Sequence, residues 1–388
     1  GAGSTAGVVI DTTAPSVGSI VRIDANPNNS GSVSYTVSFD EDVKGVDVSD
    51  FSLTLTGSAA GSISSVTAVD GRTYTVVVTG LSGSGSLRLD LNSSGTDIAD
   101  AAGNAVVGGL SGATYTIDRV APSVASVQVP GNGTYVAGQN LDFTVQLDEA
   151  AQLDTSNGTP RIAVTLDDGT VAYATYLSGA GTNALVFRMI VAKGQLDTNG
   201  VALGNSIQLN GATLRDAAGN DVNLTLNNVA STAGVQVDAV VPVVESVAVP
   251  AGGSYKAGDV LGFTVNTSEG VVVDTSTGTP RLALTVGGVT RYATYVSGAA
   301  NGALVFQYTV QAGDTASGGI AVSGSLDLNG GSIKDAAGNA LNLNLGAVGN
   351  TGNVLIDTSA PTATNITRVD ITPTNASSLR YTVTFDES

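Results

Sequence analysis

The chain lacks cysteine, histidine and tryptophan altogether and has one methionine in 388 residues. Without cysteine there are no disulfides, no thiolate metal sites and no thiol catalysis. Without histidine the commonest general base and the usual transition-metal ligand are gone. Charge is sparse and one-sided: 12% of residues are charged, acids outnumber bases 33 to 15, and the formal charge is −18. Such a surface suits neither nucleic acid nor anionic lipid, but it does suit a multivalent cation. No apolar run approaches the about 18 residues of a membrane span, and no charged-then-apolar leader opens the sequence. We therefore expect neither membrane insertion nor a signal peptide within this stretch.

What is present is repetition. Asp-Ala-Ala-Gly-Asn occurs at Asp100–Asn104, Asp216–Asn220 and Asp335–Asn339. Aspartates followed after three residues by proline stand at Asp11, Asp118, Asp238 and Asp357, spaced 107, 120 and 119 residues apart. These periods fit one β-sandwich each. With 42% hydrophobic residues, 50 glycines and little that reads as helix, the chain predicts many short strands joined by tight turns around packed cores. The expected fold is all-β, a rod-like array of tandem immunoglobulin-like β-sandwich domains.

The expected boundaries are the last strand of a preceding domain at 1–10, a short domain at 11–117, and long domains at 118–237 and 238–356. The first strands of another short domain follow at 357–388, where Tyr381–Glu387 echoes Tyr35–Glu41. The long domains share Gly-Thr-Pro-Arg (158–161, 278–281), Tyr-Ala-Thr-Tyr (173–176, 292–295) and Ala-Leu-Val-Phe (184–187, 303–306). The order of subtypes points to a super-repeat of 346 residues.

In the short domain, apolar and polar alternation predicts strands at Val17–Asp24, Ser32–Phe39, Phe51–Thr56, Ser62–Val69, Thr73–Thr79, Ser86–Leu91 and Thr114–Ile117. In the second domain a hairpin is expected from Arg161–Leu166 to Val171–Tyr176, turning at Asp168–Gly169. Antiparallel succession brings the second and sixth strands back to the pole where the chain enters. Three stretches then meet there. The first domain brings Asp11, the Asp40, Glu41 and Asp42 cluster, and Asp100 with Asn104. The second brings Asp118, Asp148, Glu149, Asp216 and Asn220. The third brings Asp238, Glu269, Asp335 and Asn339, with Ser268 in place of the first acid of the pair. The last segment brings Asp357, Asp386 and Glu387.

Gathered carboxylates repel, and a hard cation reverses the sign. Calcium accepts six to eight oxygens at irregular geometry, and it substitutes for the staple that cysteine does not provide. Taken singly, Asp-Ala-Ala-Gly-Asn reads as an Asx-turn closed by a left-handed glycine, and Asp-Glu as solvated edge charge. Their joint arrival in three domains favours Ca2+.

These junctions, the Phe-Asp-Glu after the second strand and the Asp-Ala-Ala-Gly-Asn before the last resemble the tandem bacterial immunoglobulin-like domains of giant secreted surface adhesins, including those exported by type I machinery. The resemblance spans essentially the whole chain. It implies a calcium-stiffened stalk at the bacterial cell surface whose partners are neighbouring repeats, with adhesive modules elsewhere. It implicates the acids named above and adds no catalytic residue. The Gly-Gly-x-Gly-x-Asp nonapeptides of many relatives are absent from the sequence.

Rival readings are a glycan-binding module, using one tyrosine of each pair Tyr173/Tyr176 and Tyr292/Tyr295, and a filament or surface layer built from like chains. Glycoside hydrolysis requires two defined acids in a cleft, and a set of acids repeated in every domain does not fit that. Isopeptide crosslinking fails because Lys334 aligns with Arg215 and Ala99.

Overall fold

The computed structural model describes residue 7 and residues 9–387. The expected preceding strand at 1–10 falls largely outside them, and residues 9–10 carry no strand. Among the described residues there is no α-helix, only two three-residue 3-10 turns amid the strands. The fold is all-β, in tandem immunoglobulin-like sandwiches.

Alternation lays down the first sandwich. Its strands are β1 (Val17–Arg22), β2 (Ser32–Phe39), β3 (Phe51–Leu55), β4 (Ala60–Ala68), β5 (Thr73–Ser82), β6 (Gly85–Leu91) and β7 (Leu110–Ile117). One sheet runs β1-β2-β5-β4 and the other β3-β6-β7. Because side chains alternate across a strand, Val33, Tyr35, Val37 and Phe39 of β2 all point inward, where they meet Leu87, Leu89 and Leu91 of β6. Removing side chains of this size from water contributes about 1.5–3 kcal/mol each. Tyr35 lies edge-on to Tyr115 with centroids 5.1 Å apart, and its hydroxyl donates to the Leu87 carbonyl, so the polar atom that this side chain places in the core is satisfied.

The described chain forms two compact units. One contains the residues up to Gly133, Asn140–Ile190 and Asn199–Val235; the other contains Thr134–Gln139, Val191–Thr198 and the chain from Gln236 on. The second repeat contributes to both. Within the first unit its long strand Asn140–Asp154 pairs with Thr182–Ile190, with Val124–Gln128 and, at its far end, with Thr213–Arg215. The expected hairpin joins Arg161–Thr165 to Val171–Ser178, and Gly169 takes φ 81° at the turn.

In the second unit the third repeat has its own core, built on Leu261, Phe263, Leu282, Leu304 and Phe306. The shared Gly-Thr-Pro-Arg motif has a steric origin. A Cβ at Gly158 would sit 1.7 Å from the Asn210 carbonyl oxygen, and one at Gly278 1.8 Å from that of Asn329. Only glycine permits those approaches.

Candidate functional site

Each Asp-Ala-Ala-Gly-Asn is a closed loop in which one carboxylate is used twice. Asp216 Oδ1 accepts from the backbone N–H of Gly219 (2.7 Å) and of Asn220 (2.8 Å), and its Oδ2 accepts from the Asn220 carboxamide (2.7 Å). Asp100 and Asp335 make the same three bonds. The glycines have φ of 96°, 98° and 104°, a conformation that disfavours a side chain. The three aspartates are buried, at 2–6% exposure, because the loop folds over them. The Asx-turn is therefore real, and it is also one wall of something larger.

Each asparagine carboxamide then reaches across to a junction aspartate. Asn104 donates to the Asp11 carbonyl at 3.2 Å, Asn220 to that of Asp118 at 3.0 Å, and Asn339 to that of Asp238 at 2.9 Å. The junction aspartate also belongs to what precedes it. The Asp118 N–H donates to Asn28 O, Asp238 pairs with Leu196, and Asp357 pairs with Thr315. A third wall is a glutamate, just past the second sandwich strand in the first and third repeats (Glu41, Glu269) and within the long strand Asn140–Asp154 in the second (Glu149).

Carboxylate oxygens of Asp11, Glu41 and Asp100 lie within 4.8 Å of one another, as do those of Asp118, Glu149 and Asp216 and those of Asp238, Glu269 and Asp335. None of the seven ion pairs among the described residues uses any of these nine side chains. At such spacing each like-charged pair in the two partly buried triads costs on the order of 1 kcal/mol at water-like dielectric and more at protein dielectric. The glutamates register it. Burial, reinforced by Asp118, Asp216 and Asp148, pushes Glu149 above the usual range, and burial with Asp335 and Asp238 does the same to Glu269. Glu41 is raised in the same sense, by desolvation first and then by Asp11, Asp100 and Asp40. Asp100 is lowered, chiefly by the hydrogen bond from Asn104.

Other expected residues go elsewhere. Asp40 turns away from the triad and accepts from the backbone N–H (2.8 Å) and hydroxyl (2.7 Å) of Ser16. Asp148 holds Ser123 at 2.8 and 2.6 Å, and Asp386 holds Thr362 through the same two groups. These bonds pin the first strand to the end of the second and lower all three carboxyls. Ser268, in the third repeat, accepts from Val243 N at 3.0 Å. The clasp had a sequence signal. Ser or Thr follows the junction proline wherever the partner is Asp, and Val243 follows it where the partner is Ser268. Asp42 is exposed and pairs with Arg72.

Asp357 and Glu387 line one groove together with Lys256 and Asp259. Glu387 Oε1 is buried with no hydrogen-bond partner among the described residues. An all-oxygen donor set, no paired cationic side chain and an orphaned carboxylate oxygen together fit a hard divalent cation.

Of the two tyrosine pairs, Tyr173 and Tyr292 are the exposed members, and each lies beneath a guanidinium: Arg161 at 3.7 Å and Arg281 at 3.9 Å from the ring centroid. One ring face that a sugar would stack on is thus occupied. Tyr176 and Tyr295 turn inward onto Phe187 and Phe306.

Residues 11–117 match the family model of a bacterial Ig-like domain. No curated protein sequence matches the chain. Among solved structures, the Escherichia coli adhesin FdeC is 17% identical over 86% of this chain and 96% of its own, with a TM-score of 0.30. Domains 1–6 of the surface layer protein SbsC are 14% identical over 97% of this chain and 63% of that one, at 0.21. The MG0-NIE-MG1 region of alpha-2-macroglobulin from Escherichia coli is 10% identical over 84% and 97%, also at 0.21. Likenesses of this extent carry no information about ligand or partner.

Proposed function

We propose that this chain is a non-catalytic spacer from a bacterial surface adhesin, lying outside the cell, in which calcium bound at the junction aspartates fixes one sandwich against the next. One observation carries the reading: the same three carboxylates, drawn from the same three stretches, converge in three successive repeats, and none of the nine takes part in an ion pair among the described residues. Asp11, Glu41 and Asp100 would hold one ion, Asp118, Glu149 and Asp216 a second, and Asp238, Glu269 and Asp335 a third. Asp357 and Glu387 supply part of a further one. Asn104, Asn220 and Asn339 order the loops by tying each to its junction.

A bound divalent ion supplies the positive charge that turns mutual repulsion into attraction. Since one ligand lies on the connector, that attraction acts between repeats as well as within one. Glycoside hydrolysis is the weaker reading, because it requires a defined pair of acids in a cleft with one carboxyl held protonated. A set repeated at every junction behaves as a structural site.

The test is a calcium titration by calorimetry, with magnesium as comparison, alongside melting and small-angle scattering with and without chelator. Chelation is expected to lower the melting temperature and reduce the maximum particle dimension. Heat of binding indistinguishable from buffer, with melting and dimension unchanged by chelator, overturns the proposal.

A further inference from the structure

We propose that the Pro27–Ser30 turn of the first repeat is a docking surface for the Asp-Ala-Ala-Gly-Asn turn of the second, and that Asn29 is its recognition residue, latching the two repeats without a cation. The proposal rests on the spacer reading and not on calcium. Asn29 Nδ2 donates to Asn220 Oδ1 at 3.1 Å, across 191 residues of sequence. Asn220 already gives its Nδ2 hydrogens to the Asp118 carbonyl and the Asp216 carboxylate. Its oxygen is therefore the acceptor left to offer, and it points at the preceding repeat.

The rest of the turn is built to present Asn29. The Asn28 side chain accepts from the backbone N–H (2.7 Å) and hydroxyl (2.6 Å) of Ser30, and the Asn28 backbone N–H donates to Thr116 O at 2.9 Å, which anchors the turn to β7. Gly219 lies against Asn29 as well: a Cβ there would make an ordinary contact, 3.4 Å from Asn29 Nδ2, so it is the φ of 98° at this turn, and not the contact, that favours glycine. On the other side the connector is fastened as well. The Arg119 backbone N–H donates to Ser84 Oγ at 3.0 Å, and its guanidinium donates to Ser30 O.

Asn29 and Asn220 are both partly buried and both neutral, so their bond neither requires an ion nor weakens with salt as a charged pair does. A small set of such bonds has consequences because loosely joined domains move freely by default. The surface is a feature of this type of repeat. Pro373-Thr374-Asn375-Ala376, between Ala363–Arg368 and Tyr381–Phe385, puts Asn375 at the equivalent position.

Because the chain has no cysteine, Thr67→Cys with Leu177→Cys gives two spin labels, one in each repeat, on exposed positions of the full chain. Pulsed electron paramagnetic resonance in excess chelator then reads the spread of distances between them. Asn29→Ala is expected to broaden the distribution roughly twofold relative to the labelled parent, consistent with freed domain motion. Asn29→Asp, of the same size but without the donor, should broaden it at least as much. Melting of the labelled proteins checks that the repeats remain folded. Equal widths for parent and Asn29→Ala in chelator overturn the latch. Calcium calorimetry on the same proteins keeps the two readings apart, because a parent that binds no calcium removes the ion and leaves the latch result standing.

Discussion

The carboxamide of Asn220 donates to the backbone carbonyl of Asp118, 102 residues earlier, at 3.0 Å. The N–H of that same Asp118 donates to Asn28 O in the first repeat. One residue is thus gripped from both sides, and its carboxylate faces Glu149 and Asp216. Order at the junction depends on the loop that makes this grip.

Asp216→Ala should therefore act on the junction and the second repeat before anything else. It removes the acceptor of three hydrogen bonds and leaves N–H groups of a closed loop without partners. The lost bonds are worth about 1–3 kcal/mol, and relief of the repulsion with Asp118 and Glu149 offsets part of this in calcium-free protein, so the net loss should be smaller there than with calcium bound. Differential scanning calorimetry checks this, and melting of the third repeat should be unchanged.

Asp148 and Glu149 are neighbours with opposite titrations. Hydrogen bonds from Ser123 lower Asp148, while burial and the surrounding acids raise Glu149. A raised acid favours the fold below its unfolded pKa, and that contribution is lost as pH rises through the folded value. A lowered acid contributes above its unfolded pKa, and the contribution is lost as pH falls through the folded value. In chelator, melting temperature should therefore rise as pH drops from 7 toward the ordinary glutamate range of about 4.5. Below that it should fall, as Asp40 and Asp148 give up the bonds from Ser16 and Ser123. Calcium should abolish the rise. Melting curves taken across pH, with carboxyl chemical shifts to assign the residues, decide it.

The third repeat carries a buried charge that the second does without. Asp314, 3% exposed, accepts from Arg291, Tyr308 and Gln311 N, and these bonds outweigh the burial that alone would raise its carboxyl. At the aligned places the second repeat has Ala172, Met189 and Gln195, and Gln195 still caps the loop through Ala192 N at 2.8 Å. Arg291→Ala alone should destabilise the third repeat, though by less than the loss of a partner from a fully buried pair, because Arg291 is a third exposed. Adding Tyr308→Met and Asp314→Gln should recover most of the loss. Urea denaturation of the single and triple variants measures the coupling.

Leu89 is fully buried between the two sheets of the first repeat. Leu89→Ala should cost about 2–5 kcal/mol. Its effect on the denaturation midpoint should be confined to that repeat, because the core of the third is built from other residues.

Much of this was legible in residue order. Tyr35, Val37 and Phe39 announce their sheet by alternation alone, and the repetition of Asp-Ala-Ala-Gly-Asn marks the loops. Strand ends were less legible. β5 runs to Ser82 and β7 begins at Leu110, beyond the expected Thr79 and before the expected Thr114, because cross-strand pairing extends a strand past its apolar pattern. Which acid of each Asp-Glu pair faces the triad also depends on register. Successive side chains leave a strand on opposite sides, so Asp148 meets Ser123 while Glu149 meets Asp118. The alternation between Ser16, Ser123 or Thr362 and Val243 carried that information, but only once the repeats were aligned on their prolines. The Asn29–Asn220 contact had no sequence signal, since nothing in an isolated turn names the loop it will touch.

The dual attachment of Asp118, and of Asp238 in its turn, bears on how such a chain is divided and recombined. A cut on either side of that aspartate strips a hydrogen-bonding group from one fragment or the other, so no excised repeat is whole unless it keeps an aspartate at both ends. A cassette bounded in that way keeps the aspartate's bonds at each end, but it keeps the contact of Asn29 only where a repeat of the first type precedes it.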